Sequence, residues 1–400
     1  MPTLAPPPAA FAARMSRISV SATAAVVMEA EKLRAAGRDL VDFGAGEPDF
    51  PTPAHIKRAA QQALDENFTR YTAAGGIAPL KDAIRQAHDR DFASGYAREE
   101  VLVTCGGKHA LFNTISALVE HGDEVILPAP YWVSFHDQIT YAGGIPVVVA
   151  TDEAAGFTLG IDAITSRLTP RTRIILLNSP ANPSGAVFSP ELFRAVLEIC
   201  RERGIWLLSD ECYSKFVYSG QPYSAATDAA KLPGAKERLI IAGSFSKTYA
   251  MTGWRLGYAL APAAVIKQML KLQSHSTSNA TSFVQKAGIA ALTGPQEPVR
   301  EMLAEYTRRR ELIVTGLRAI PGITCNEPAG AFYAYPNITG AMAHKGIATP
   351  LDFAGRLLQE AGVVTVPGEA FGTGAHIRFS YAASQDVIRE GLKRLAAFCT

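Results

Sequence analysis

Seven short apolar runs, at residues 101–104, 125–127, 146–150, 173–177, 205–208, 239–242 and 256–261, recur through the middle of the chain. They are apolar continuously rather than alternately, the pattern of strands covered on both faces in a mostly parallel sheet. Helical patterns fill most of the gaps between them. One spans 108–120 after a Gly-Gly turn; another spans 190–203, with Ser189 as its N-cap and Pro190 in its first turn. The alternation predicts an α/β fold: a large domain with a mostly parallel seven-stranded sheet sandwiched by helices. Beyond residue 300 the pattern changes. An amphipathic helix over 297–319, carrying Arg308-Arg309-Arg310, precedes short strands near 331–335, 363–366 and 376–380. That region reads as a smaller α+β domain. The predicted division is a disordered arm at 1–14, a segment at 15–48 packing with the small domain, a large domain at 49–296 and a small domain at 297–400.

Polar groups follow the carboxyl ends of four of these runs: Gly106-Gly107, Asn178, Asp210, and Ser244 to Lys247. Ligands bind along that edge in open α/β sheets.

Composition narrows the chemistry by exclusion. With 48% hydrophobic and 19% charged residues, the 400-residue chain has ample material for a folded core and no signature of disorder. A net charge of +2 makes no case for nucleic acid or an anionic membrane surface. No apolar run approaches the roughly 18 residues of a membrane helix. Five scattered cysteines without a CxxC pair suit reduced thiols in the cytoplasm, and the eight histidines form no HExxH, so no metal is expected. The Ala- and Pro-rich start lacks the layout of a signal peptide; Arg14 and Arg17 leave organelle targeting as the alternative.

The segment 244–257 places two hydroxyls (Ser244, Ser246), an amine (Lys247) and a guanidinium (Arg255) just after a buried strand. Serine and arginine hold phosphate, and a lysine beside them suits covalent attachment of pyridoxal phosphate (PLP). Asp210 at a strand end either caps the next helix or keeps a pyridine nitrogen protonated, with Tyr213 three residues on to donate to a phenolic oxygen. Gly106, Gly107 and Lys108 open a helix whose N–H groups would receive a phosphate. Trp132 is either core or a stacking surface. Arg378 is either an exposed strand arginine or a fork for an α-carboxylate. Gly44-Ala45-Gly46 after a strand-like run invites a dinucleotide reading, but Asp49 replaces the third glycine and Pro48 interrupts the turn.

These motifs resemble those of the fold-type I, class I PLP-dependent aminotransferases, and most of all their bacterial aspartate aminotransferase branch. The resemblance is carried by Ser244-Phe245-Ser246-Lys247, Asp210-Glu211-Cys212-Tyr213, Asn182-Pro183-Ser184-Gly185, Gly44 to Phe50 and Gly106-Gly107-Lys108. It runs from about Ser16 to the C-terminus. It implies that Lys247 attaches the cofactor and moves the substrate proton in a ping-pong reaction. It also implies that Trp132 stacks on the cofactor ring and that Asn182 bonds the phenolic oxygen near the substrate carboxylate. Gly46 and Arg378 then meet that carboxylate, Lys108 meets a distal carboxylate, and Ser21 and Thr23 close over the substrate. Tyr71 reaches the phosphate of the neighbouring subunit, which makes the protein a homodimer with shared sites. Ser276 or Thr277 assists from the partner. The implied reaction is aspartate with 2-oxoglutarate. Aromatic, alanine and prephenate aminotransferases are alternatives, followed by a PLP-dependent C–S lyase. Relatives that accept prephenate commonly carry Lys-Pro-Ser-Ala-Thr where this chain has Ser19-Val20-Ser21-Ala22-Thr23, a departure that argues against prephenate without removing it, since Arg17 is close in sequence. A winged-helix regulator has no room at the N-terminus.

Overall fold

All seven apolar runs enter one sheet in the computed structural model, which describes residues 11–20 and 22–400. The strands up to the middle of the chain are β1 (Val41–Asp42), β2 (Val101–Thr104), β3 (Glu124–Ala129), β4 (Ile145–Ala150), β5 (Thr172–Asn178), β6 (Trp206–Asp210), β7 (Leu239–Ser244) and β8 (Gly257–Leu260). The large sheet has the order β2-β8-β7-β6-β5-β3-β4. Only β8 runs against its neighbours, pairing antiparallel with both β2 and β7. The central strands β3, β5, β6 and β7 are almost wholly buried, as their uninterrupted apolar runs require. β4, one of the sheet's two edges, departs from that expectation: Ile145 is 44% and Val148 41% exposed, whereas the other edge strand, β2, is wholly buried. The helix Pro190–Arg203 begins where the sequence placed it, with the Leu192 N–H donating to Ser189 Oγ at 3.2 Å.

The remaining strands are β9 (Tyr333–Ala334), β10 (Val363–Val364), β11 (Val366–Pro367) and β12 (Ile377–Ser380). A small antiparallel sheet has the order β11-β12-β9, while β1 pairs in parallel with β10. The chain's early segment is thereby tied to its late one. Ala30, Leu33 and Leu40 pack with Leu358 and Val364 on the small-sheet side. Ahead of these late strands comes the helix Glu297–Arg318, in which the basic run divides by environment. Arg309 is 5% exposed and bonds Asp49 Oδ1 at 2.7 Å, whereas Arg308 stays in solvent beside Glu305.

Of the expected arm, Ala13–Arg17 forms a single 3-10 turn against the helix Val133–Ala142. Residues 1–10, Ser21 and the side chain of Thr23 lie outside the described residues. Among the described residues no helix is long and apolar enough to cross a membrane, and no cluster of metal-ligating side chains occurs.

Candidate active site

The carboxyl ends of β2, β3, β5, β6 and β7 share one edge of the large sheet, and a cavity of about 550 Å³ lies against it. Local turn chemistry sets each functional side chain there. The Cys212 N–H donates to Asp210 Oδ1 at 3.0 Å, which turns the chain after β6 and brings Tyr213 to the cavity wall. Asn178 Oδ1 accepts from the Asn182 N–H at 2.9 Å, curling the loop after β5 so that Asn182 also faces inward. Ser244 Oγ accepts from the Ser246 N–H at 3.1 Å, and Lys247 follows in that turn. Gly106 has φ 87°, and a Cβ on it would stand 2.6 Å from Arg255 Nη2. A Cβ on Gly107 would stand 2.9 Å from Cys212 Sγ. The two glycines therefore let the N-terminus of helix Gly107–Leu118 approach both side chains.

The opposite wall is a strap, residues 44–50, with the small sheet behind it. The Gly44 carbonyl accepts from Arg378 Nη2 at 2.7 Å, and the Gly46 carbonyl accepts from Lys247 Nζ. Glu47 Oε2 accepts from Thr252 Oγ1 at 2.7 Å, and the Asp49–Arg309 pair holds the strap's far end. Arg378 is 2% exposed, donates through Nη1 to Asn182 Oδ1 at 3.1 Å, and stacks on Tyr333 at 4.6 Å and Phe371 at 5.2 Å. Lys108, at the mouth, holds Nζ 4.9 Å above the Trp132 ring.

Electrostatics follows from this packing. Burial pushes the Asp210 carboxyl up to about 6. Burial, helped by the Arg378 and Arg255 cations, brings the Lys247 amine down to about 8. Burial, with Arg255 nearby, also lowers Lys108.

The sequence profile described as Aminotransferase class I and II matches residues 38–395. The chain is 43% identical over 388 residues to an aspartate aminotransferase of Geobacillus stearothermophilus, covering 97% of this chain and 98% of the relative. It is 42% identical to an aspartate/prephenate aminotransferase of Cereibacter sphaeroides, covering 96% of this chain and 97% of the relative. The solved aspartate aminotransferase of Thermus thermophilus with maleate superposes with a TM-score of 0.91 at 38% identity, covering 98% of this chain and all of the other. The chain belongs to the class I and II aminotransferases.

Aminotransferases of this class use pyridoxal 5'-phosphate. The residues present fit that group. Asp210 is a 4% exposed carboxylate whose hydrogen-bond donors among the described residues, an N–H and a thiol, both belong to Cys212, so it has acceptor capacity left for a protonated ring nitrogen. Arg255, with φ 54° in the left-handed region, makes one hydrogen bond among the described residues, to Thr252 O at 2.9 Å. Its other N–H groups and the helix N-terminus at Gly107 are free to receive a phosphate. The cavity volume is that of a small-ligand site.

The cavity gathers Gly46, Gly107, Lys108, Trp132, Asn182, Asp210, Tyr213, Ser244, Ser246, Lys247, Arg255 and Arg378, while Gly106 lies just behind its wall. Tyr71 is 91% exposed and stands apart from the cavity in this chain. Ser276 and Thr277 are also exposed, beyond helix Ala263–Ser274. Arg17 lies beside Gly143 and donates nothing to the cavity. Sequence reasoning missed Tyr333, Cys212, Thr252, Leu111 and Met28 as lining residues. Cys212 had a usable signal, since it sits between Asp210 and Tyr213. Tyr333 had none, because an aromatic in a short apolar strand reads as core.

Proposed function

We propose that this aminotransferase moves the amino group of aspartate to 2-oxoglutarate, giving oxaloacetate and glutamate. The observation that carries the dicarboxylate choice is the pair of cations in one cavity: Arg378 deep at the strap, Lys108 at the mouth over Trp132. Arg378 suits the α-carboxylate that every amino acid presents, and Lys108 suits a second carboxylate. The curated relatives carry aspartate in their names, and the Thermus structure is named with maleate, itself a dicarboxylate.

The chain's own residues have separable tasks. Ser244, Ser246, Arg255 and the helix N-terminus at Gly106-Gly107 would hold the phosphate. Asp210 would pair with the ring nitrogen, Trp132 would cover the ring, and Tyr213 and Asn182 would serve the phenolic oxygen. Bound there, pyridoxal phosphate supplies an electron sink for the pair left on the substrate Cα when its proton departs. Lys247, whose burial leaves a useful fraction of neutral amine near pH 7, takes that proton. Arg378 and the Gly46 backbone orient the substrate so that the Cα–H faces Lys247. The exposed Tyr71 supports a homodimer in which it serves the neighbour's phosphate, and the five unpaired thiols suit the cytoplasm.

The test is a half-reaction panel on the loaded enzyme. Aspartate should convert the cofactor absorbance to that of its aminated form, and alanine and phenylalanine should do so far more slowly. Lys108→Ala should lose about 10- to 100-fold in kcat/KM for aspartate and little for the two monocarboxylates. Equal losses would assign Lys108 to cofactor anchoring instead. Prephenate is the second reading, motivated by the Cereibacter relative. Arg17, turned toward Gly143, gives it no extra cation. Pyruvate and ammonia released from a cysteine conjugate would replace both with a C–S lyase.

A further inference from the structure

Tyr333 enters the cavity from β9. It is fully buried, with its hydroxyl 2.7 Å from that of Tyr213. Its ring carries the Arg378 guanidinium at 4.6 Å, and its hydroxyl stands 2.9 Å from where a Cβ on Gly46 would be. One side chain thus touches the phenol assigned to the cofactor, the arginine assigned to the substrate carboxylate, and the strap.

We propose that Tyr333 is a positioning residue that orders the Tyr213 hydroxyl, donating to it so that the Tyr213 proton points into the cavity toward the cofactor. This rests on the aminotransferase reading above. A phenol has one proton to give and can also accept. Among the described residues the two hydroxyls have only each other as side-chain partners, apart from the contacts of the Tyr333 ring. If Tyr213 donates to Tyr333, it has nothing left to offer the cavity. If Tyr333 donates, the Tyr213 O–H is free, and a hydroxyl that accepts a hydrogen bond becomes a stronger donor. An acceptor in the cavity selects the second arrangement. Burial raises both phenols above their ordinary range, so both protons are retained. The titratable and charged neighbours of the pair are Arg378 from β12 and the Cys212 thiol after β6, with Lys247 after β7 on the same cavity wall.

The experiment is a pH titration of the bound cofactor's absorbance in loaded wild type, Tyr333→Phe, Tyr213→Phe and the double variant. Phenylalanine keeps the ring under Arg378, so the packing survives. A weaker Tyr213 hydrogen bond leaves more negative charge on its acceptor and raises the pH at which the chromophore loses its proton. Tyr333→Phe should move the transition upward by about 0.5 to 1 pH unit. Tyr213→Phe should move it at least as far, and the double variant no further than Tyr213→Phe. The KM for aspartate should stay within about twofold while kcat falls, because the Arg378 contact is kept. An unmoved transition in Tyr333→Phe, or shifts that add in the double variant, overturns the proposal. Absence of a cofactor absorbance in wild type would sink the aminotransferase reading itself, a separate result.

Discussion

On the large-sheet wall, Asn178, Asp210 and Ser244 end three adjacent strands and are fixed by hydrogen bonds to residues two to four positions away. On the facing wall, Arg378 bonds Gly44 and Asn182 across sequence separations of 334 and 196, and Tyr333 meets Tyr213 across 120. The first wall needs only a formed sheet and its turns. The second exists only when the strap, β9 and β12 have all docked. The residues proposed for chemistry common to many substrates thus rest on local structure, and the arginine proposed for the carboxylate on long-range packing.

The comparison can be broken most forcefully at Lys247, which belongs to the first wall but donates to the second through the Gly46 carbonyl. Lys247→Ala should lower the half-reaction rate with aspartate by about 10⁴-fold or more while the protein still takes up cofactor without a covalent link. A loss of less than tenfold in rapid-mixing absorbance would remove Lys247 from the proton transfer.

A second break uses stability. The Asp210 carboxyl is pushed up to about 6, above its ordinary 3.8, by burial. Between those values the cofactor-free folded state holds the proton that the unfolded state has lost. Stability therefore falls as pH rises from about 4 to 6, and a penalty of roughly 3 kcal/mol stands at pH 7. In urea unfolding of the cofactor-free proteins, Asp210→Asn should match wild type at pH 4 and gain on it toward pH 7. A difference that stays constant over this range would mean that the carboxyl is not strained by burial.

The smallest effect sharpens the contrast rather than breaking it. Arg378→Lys keeps the charge but cannot fork between Gly44 O, Asn182 Oδ1 and a carboxylate. It should lower kcat/KM by about 10- to 100-fold, by similar factors for aspartate and alanine, since both carry the α-carboxylate. The absorbance titration of the bound cofactor should stay where it is. A large shift there would show that Arg378, like Tyr333, acts on the cofactor as well as on the carboxylate.

The same division explains what could be read from sequence. The seven strands of the large sheet were legible because burial on both faces demands unbroken apolar runs; Asn178, Asp210 and the Ser244–Lys247 turn because they follow such runs; and Asn182 only through the resemblance of its Asn-Pro-Ser-Gly loop. The burial of Arg309 against Asp49 was hidden inside a basic run that reads as a solvated helix face. Tyr333 was hidden for a related reason: its partner Tyr213 lies in another domain-scale region, and nothing in either neighbourhood encodes the pairing. The edge position of β4 was equally invisible, since Pro146 to Ala150 is as apolar as any central strand. Local patterns report which groups leave a strand end, and not which distant groups they meet.

The parallel pairing of β1 with β10, Val41 against Val363, has a consequence for how the enzyme is made. During synthesis the strap emerges early, long before the strand that holds it and the arginine that bonds its Gly44 carbonyl. A ribosome-bound chain can assemble the large sheet and its turns while Arg378 is still untranslated. On the proposed reading, the carboxylate site is completed only once Arg378 has followed the strap out, 334 residues after Gly44, so a product truncated before it would keep a cofactor-shaped half-site without the arginine proposed to orient an amino acid.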